Sequence, residues 1–315
     1  MEPVGTGTDG VAAERRQLLN VAYRLLGSVT EAEDAVQDAY ARWYELPRLR
    51  QESILSPGAW LTTVISRICL DLLGSARVRR ERYVGAWLPE PLPDRTEWHH
   101  AAGAGPAATT ADPADQIVLD ESVNLAFLVV LESMTPAERV AFVLHDVFRY
   151  PFAQIAEVLD RTPAACKQLA ASARRRVDAK GTAVPATGRA EVVRQVREAW
   201  ESKDIAALVG LLDPAAVMTA DGGGLVGTVL RPVEGGARIA QYMVAVAGTA
   251  PGLHLLERSV NGVPGLVAER AGTVVTVSSF DITEGRVSRI WVVRNPEKLR
   301  PWRRAGRPAP GTGTP

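Results

Sequence analysis

Residues Thr135 to Val177 read TPAERVAFVLHDVFRYPFAQIAEVLDRTPAACKQLAASARRRV, a run in which two helix-start signals flank a turn. Thr135 can cap free amides, Pro136 suits the first helical position and Glu138 completes a capping box. Val140, Leu144 and Val147 then recur on one face. A short second helix is expected from about Pro151 to Leu159, with Ile155, Val158 and Leu159 as its apolar stripe, and Asp160-Arg161 makes the turn. Thr162-Pro163 repeats the cap-plus-proline signal and opens a third helix, whose Cys166, Leu169, Ala170, Ala173 and Val177 share a face. Its other surface offers Ala164, Lys167, Gln168, Ser172, Arg174, Arg175 and Arg176. Small and amide groups at the N-terminal end suit base edges, and cations at the C-terminal end suit phosphates. Three successive arginines repel one another unless an anionic partner relieves them, which favours duplex DNA over a plain solvated face.

The rest of the chain fits a multidomain protein. Its 315 residues, 46% hydrophobic and 23% charged, suffice for two or three small domains with their own cores. Lys plus Arg equals Asp plus Glu at 36 each, so DNA binding cannot rest on net charge. The charge is segregated instead: residues 65–82 hold five Arg against two acids, residues 160–180 six Lys or Arg against two Asp, and Glu31 to Asp38 is acidic. Cys69 and Cys166 fall on apolar stripes, so reduced core thiols are expected, as in the cytoplasm. No signal peptide or transmembrane run is read, so no membrane partner is expected.

Leu18, Leu19, Ala22, Leu25 and Leu26 are spaced as a helix that Gly27 can end. Thr30-Glu31-Ala32-Glu33 reads as a capping box opening a helix to about Glu45, with Val36, Ala39, Tyr40 and Trp43 on one side and Asp34, Gln37, Asp38, Ala41 and Glu45 on the other. Periodicity alone makes that acidic side an ordinary solvated face. Leu46 to Leu55 reads as a loop. Ser56-Pro57 opens a helix that buries Trp60, Leu61, Val64, Ile65, Ile68, Cys69 and Leu72 and leaves Thr62, Thr63, Ser66 and Arg67 outward; it ends in the cationic Arg77, Arg79 and Arg80, which could hold a phosphate backbone. Tyr83 to Asp115 reads as a linker with an apolar start, Trp87-Leu88-Pro89-Glu90-Pro91, and Asp178 to Gly188 as a second.

Beyond the second linker, helices are expected over Arg189 to Lys203, Ala206 to Leu212 and Ala237 to Val246. β-rich stretches follow at Leu253 to Val260, Leu266 to Glu269, Thr273 to Phe280 and Arg286 to Val293, divided by Asn261-Gly262, Ala271-Gly272 and Glu284-Gly285 turns. Arg300 to Pro315 is basic and Pro/Gly-rich, which reads as disordered.

Several of these stretches carry a family resemblance. Ala22-Tyr23-Arg24-Leu25-Leu26-Gly27, Glu31 to Asp38, Ala59-Trp60-Leu61 and Ile65-Ser66-Arg67 resemble region 2 of bacterial extracytoplasmic-function (ECF) sigma factors, and Thr135 to Val177 resembles their region 4. The resemblance implies that Asp34, Gln37, Asp38 and Ala41 dock on core RNA polymerase. It also implies that the Leu46 to Leu55 loop and Thr63, Ser66 and Arg67 melt and read the −10 element of promoter DNA, and that the helix from Pro163 reads the −35 element. Asp160 stands where a glycine is common, and Asp tolerates the left-handed conformation that the turn needs.

The C-terminal part resembles the cone-shaped SnoaL-like, ketosteroid-isomerase-like fold, which in a sigma-J-like group of ECF factors extends the sigma modules. Asp221-Gly222-Gly223-Gly224 resembles a motif of that group, with Leu225 where lysine is frequent, and Asn295-Pro296-Glu297-Lys298-Leu299 resembles its terminal motif, with Glu for Asp. The resemblance implies that Trp87 to Pro91 is contacted in cis by the extension. The expected organisation is therefore region 2 over residues 12–82, linker 83–115, region 4 over 116–178, cone 189–299 and tail 300–315, two all-α modules followed by an α+β domain.

No catalytic group, metal or cofactor is expected, and a small-molecule ligand of the cone is left open. Asp213 and Asp221, the aspartates an enzyme of this fold would use, read as a helix end and a turn, and His99, His100, His145 and His254 have neither metal nor triad spacing. Two other classes of function are a plain helix-turn-helix regulator and a small-molecule enzyme or sensor with a helical tether.

Overall fold

The computed structural model describes residues 8–81, 83–94, 117–118, 123–178, 186–249 and 251–305. The chain divides into two compact units, one of residues 1–81, 111–118 and 127–180, the other of residues 82–110, 119–126 and 181–315.

The first unit is helical. Helices α1 (Thr8–Leu26), α2 (Val29–Tyr44), α3 (Arg48–Ser53) and α4 (Pro57–Glu81) come from its N-terminal part. Leu18, Leu19, Leu25 and Leu26 of α1, Ala35, Val36 and Ala39 of α2, and Leu61, Ile65 and Cys69 of α4 form its core. Gly27, at φ 70°, ends α1 as expected. The cap of α2 is Ser28 rather than Thr30: its Oγ accepts the Glu31 amide at 3.2 Å. Once Gly27 has turned the chain, Ser28 is the first extended residue with an acceptor side chain, so the helix begins two residues earlier than the Thr30 box suggests. The expected loop at Leu46 to Leu55 contains the single-turn α3, whose Pro47 supplies a pre-set φ.

Helices α5 (Leu125–Glu132), α6 (Pro136–Phe142), continued by a π-turn over Val143–Val147, α7 (Phe152–Leu159) and α8 (Pro163–Asp178) follow. The Thr135–Glu138 capping box forms as read, and Asp160 adopts the left-handed turn at φ 51°. Cys166, Ala170 and Ala173 bury the inner stripe of α8. Both cysteines are free and buried, and burial pushes the Cys69 thiol well above its ordinary range.

The C-terminal unit contains α9 (Ala186–Glu201), α10 (Ile205–Leu211), β1 (Leu212–Asp221), β2 (Val233–Glu234), α11 (Gly236–Thr249), β3 (Leu253–Val260), β4 (Val263–Arg270), β5 (Thr273–Thr283), β6 (Arg286–Val293) and α12 (Arg300–Ala305). The sheet order is β2-β1-β6-β5-β4-β3. All pairs are antiparallel except β1 with β6, so the sheet is mixed rather than purely antiparallel. The three hairpin turns put both central residues at positive φ, Asn261-Gly262, Ala271-Gly272 and Glu284-Gly285, as two-residue hairpins with this twist require.

Cross-strand register separates the two faces of the sheet. Leu266, Phe280 and Ile290 face the helices and share a core with Trp200 of α9, Leu208 of α10 and Met243 of α11. Val267, Val277 and Val293, paired across β4, β5 and β6, point the other way and are buried as completely. Strand β1 departs from the sequence reading: Asp213 is its second residue and Asp221 its last, neither a helix end nor a free turn. The reading of Arg300 onward as disordered is corrected for Arg300–Ala305, which are helical, with Trp302 fully buried; residues 306–315 lie outside the described residues.

Candidate polymerase and promoter surfaces and the linker clasp

On α2, Asp34, Gln37, Asp38 and Ala41 are all exposed, while Ala35, Val36 and Ala39 hold the helix down from behind. The two carboxylates form no ion pair with a described residue and are free to meet a partner.

The loop around α3 is unusual for a solvated segment. Leu49 is 82% exposed, Leu55 wholly so and Tyr44 70%, beside Arg48 and Arg50. Exposed apolar groups next to cations suit an unstacked base and its phosphate.

The expectation that Thr62, Thr63, Ser66 and Arg67 all point outward is corrected. Helix α7 packs on α4. The Thr62 hydroxyl lies 3.2 Å from the Tyr150 hydroxyl, Arg67 Nη2 donates to the Glu157 carbonyl at 2.6 Å, and Ser66 is completely buried with an unpartnered Oγ. Arg67 is still exposed at its edge and Thr63 is half-buried. The side chains of Arg77, Arg79 and Arg80 lie outside the described residues.

On α8, Pro163, Ala164, Lys167 and Gln168 are exposed along the N-terminal half, where Thr162 Oγ1 caps the helix by accepting the Ala165 amide at 3.2 Å. The C-terminal half differs from expectation. Arg174 makes a two-pronged bond to Asp146, at 2.6 and 3.1 Å, and Ser172 donates to Glu138 Oε1 at 2.8 Å. Arg176 reaches the Ser133 carbonyl and lies 3.5 Å from Glu138. Intramolecular carboxylates thus relieve the arginine repulsion on two of three positions, and Arg175 is left facing solvent. Burial alone would raise the Glu138 carboxyl, but the Thr135 amide, the Ser172 and Thr135 hydroxyls and Arg176 together hold it below the ordinary carboxylate range.

The C-terminal unit builds a buried clasp on the linker. Asp221 is fully buried at the end of β1; its Oδ1 accepts from the Tyr83 hydroxyl at 2.7 Å and the Gly223 amide at 3.0 Å, and its Oδ2 from the Leu88 amide at 2.9 Å and Lys298 Nζ at 2.7 Å. Lys298 also donates to the Leu88 carbonyl and sits over the Trp87 ring at 4.1 Å. Asn295 Nδ2 donates to the Tyr83 oxygen at 2.8 Å. Burial first, then its hydrogen bond to Asp221, pushes the Tyr83 phenol well above its ordinary range.

The glycines after Asp221 are explained by space and conformation. Gly223 and Gly224 have positive φ, and a Cβ would come within 2.4 Å of Asn295 Nδ2 at the first and 3.0 Å of Val84 at the second. Further along, Leu92 and Asn261 exchange hydrogen bonds at 2.8 and 2.9 Å, Pro93 bridges Val260 at the edge of the sheet, and Trp302 Nε1 donates to the Pro91 carbonyl at 2.8 Å. Leu88, Pro89, Glu90 and Pro91 are all buried. Sequence reasoning brought Trp87 to Pro91, Asp221 to Gly224, Asn295 and Lys298 together only through resemblance. It missed Tyr83, Leu92, Asn261 and Trp302; a tryptophan within an otherwise Arg- and Pro-rich tail was the available signal. Pro296 lies off the clasp, in the wall of a cavity in the cone.

The catalytic reading of the aspartates finds no support in this geometry: Asp213 accepts the Ala215 amide of its own strand at 2.7 Å, and Asp221 is saturated by donors. No helix among the described residues is long and apolar enough to cross a membrane.

A helical unit with an exposed acidic face and a helix-turn-helix, followed by a mixed-sheet α+β domain, has the organisation of a promoter-specificity factor of RNA polymerase. Comparison with known proteins agrees. Residues 11–79 match the sigma-70 region 2 family and residues 124–177 the sigma-70 region 4 family. The chain is 38% identical over 301 residues to the ECF RNA polymerase sigma factor SigJ of Mycobacterium tuberculosis, covering 91% of each chain. It is 34% identical over 294 residues to the probable ECF RNA polymerase sigma factor SigI of the same species, covering 92% of this chain and 94% of that one. The crystal structure of M. tuberculosis SigJ superposes with a TM-score of 0.72 at 34% identity, over 93% of this chain and 98% of that one. The chain belongs to the ECF RNA polymerase sigma factors.

Proposed function

We propose that this sigma factor acts in the cytoplasm, docking on core polymerase through Asp34, Gln37, Asp38 and Ala41 and reading the −35 element through Pro163, Ala164, Lys167 and Gln168, with Arg175 on phosphate. Leu49, Leu55 and the Thr63 to Arg67 face of α4 trap and read the −10 strand, with Arg77, Arg79 and Arg80 on its backbone. The modules are those delimited by residues 12–82, 116–178 and 189–299. Because Thr62 meets Tyr150 and Arg67 bonds the Glu157 carbonyl of α7, the −10 reading face becomes free only when α4 and α7 part.

The C-terminal domain regulates in cis. The observation that carries this is the Asp221–Lys298 clasp on Tyr83 and Leu88. The linker enters the C-terminal unit immediately after region 2, and the same domain is joined covalently after region 4. Region 4 is thereby held in a loop closed at both ends on one domain, which restricts where it can stand relative to region 2.

The test is in vitro transcription with core polymerase on the DNA upstream of the protein's own gene, comparing wild type with Trp87→Ala/Pro89→Ala. Loss of hydrogen-exchange protection at Leu88 together with altered transcription is the expected result. Unchanged protection and unchanged transcription would sink the cis mechanism and leave the sigma activity standing.

A further inference from the structure

The C-terminal domain holds a cavity of about 270 Å³ between the helix-facing side of its sheet and α9 and α11. We propose that it is a binding site for a small apolar carboxylate, an amphiphile of roughly ten to fifteen non-hydrogen atoms at interior packing density. Its inner wall is apolar: Trp200, Met218, Met243, Phe280 and Ile290. The bulge between Ala268 and Glu269 of β4 and their β5 partners turns both Val275 and Thr276 into the wall and widens it there.

The cations lie at one end. The register puts the ends of β1 and β6 side by side through Asp221–Val293, near the first half of β5 through Val277–Val293, and the end of β4 beside the starts of β5 and β3 through Thr273–Arg270 and Leu253–Arg270. Arg270 closes β4 and Arg294 follows β6, so both line the cavity at this end of the sheet, and Arg303 of α12 lines it as well. Neither Arg270 nor Arg303 makes an ion pair with a described residue, and the Arg294 guanidinium donates to the Gly227 carbonyl. No Asp, Glu or His lines the cavity among the described residues. The Thr228 Oγ1 in its wall is buried with no hydrogen-bond partner. An apolar interior with unneutralised guanidinium groups at one end selects a molecule that is greasy at one end and anionic at the other. With no carboxylate or imidazole in the wall among the described residues, the guest is bound rather than turned over.

Titration calorimetry on the full chain with decanoate, decanol and decylamine tests this. Decanoate should bind saturably, on the order of tenfold or more tighter than decanol, with decylamine weakest. In Arg270→Gln/Arg303→Gln, two exposed positions outside the core, that preference should shrink while decanol binding persists. Met218→Trp, which fills the cavity, should abolish both if its far-UV circular dichroism matches wild type. Equal affinity for the three probes, or no saturable binding to the folded wild type, would overturn the proposal.

Discussion

At the scale of single residues, Asp221 carries the most consequence. Its four donors include a buried ammonium, and removing its charge takes the Asp221 carboxylate away from Lys298, which sits over the Trp87 ring. Breaking one partner of a buried pair costs about 3–5 kcal/mol, whereas removing both often costs little. Asp221→Asn and Lys298→Met should therefore each destabilise the C-terminal unit by about 3 kcal/mol, and the double variant by clearly less than the sum. Urea unfolding followed by Trp fluorescence would read the cycle; strict additivity would mean that the two groups do not act as a pair.

Glu138 is the corresponding residue in region 4. Its native carboxyl is held below the ordinary carboxylate range, so the charged form is favoured by folding. The stability it contributes is complete above the unfolded carboxylate pKa, about 4.3, and is lost as pH falls through the lower native value. Glu138→Gln should flatten the acid limb of a stability-against-pH curve and leave the neutral region lower by about 1–2 kcal/mol. An acid limb identical to that of wild type would show that the capping carboxylate is not among the groups that titrate there.

At the scale of elements, α8 divides its labour along its length. Lys167 and Gln168 face solvent, whereas Arg174 is tied to Asp146. Lys167→Ala and Gln168→Ala should weaken −35-dependent promoter binding with stability within about 0.5 kcal/mol of wild type, while Arg174→Ala should lower stability first. Footprinting beside thermal melts would separate the two. If Arg174→Ala leaves the melt unmoved and selectively loses the −35 footprint, the intramolecular pairing is replaced by a phosphate on the promoter.

How much of this was legible in the sequence also differs by element. The helix-turn-helix was written in local signals, two Thr-Pro starts and an Asp-tolerant turn, and it forms as read. Strand β1 was not, because Pro214, Ala215 and Ala216 break the alternation and its pairing with β6 slips between Leu212 and Val217. Helix propensity of alanine and an interrupted register together hide a strand. The α4 face was illegible for a different reason: Thr62 and Arg67 look solvent-bound locally, and their partners Tyr150 and Glu157 lie about ninety residues away. Asp146 and Glu138 as partners of the α8 arginines were hidden in the same way, by pairings that no short window contains.

At the scale of the whole molecule, the clasp and the cavity share chain segments. The stretch after Asp221 runs into Val226 and Thr228 of the cavity wall, and Arg294 and Pro296 of that wall flank Asn295, which bonds Tyr83. A guest that draws Arg294 toward its carboxylate competes with the Gly227 carbonyl for that guanidinium and so acts on both segments that hold Asp221. A ligand shifts an equilibrium only by its differential affinity for the two states. If the clasped state binds decanoate tenfold better or worse than the unclasped one, the clasp equilibrium moves by about 1.4 kcal/mol. Saturating decanoate should then change hydrogen exchange at Leu88 and transcript yield together, in the same direction as a weakened or strengthened clasp. The effect should shrink in Arg270→Gln/Arg303→Gln, which distinguishes the acid less, and vanish in Trp87→Ala/Pro89→Ala, whose clasp is weakened from the start. Decanoate that binds wild type yet leaves both readouts still would make the cavity a site without a line to transcription.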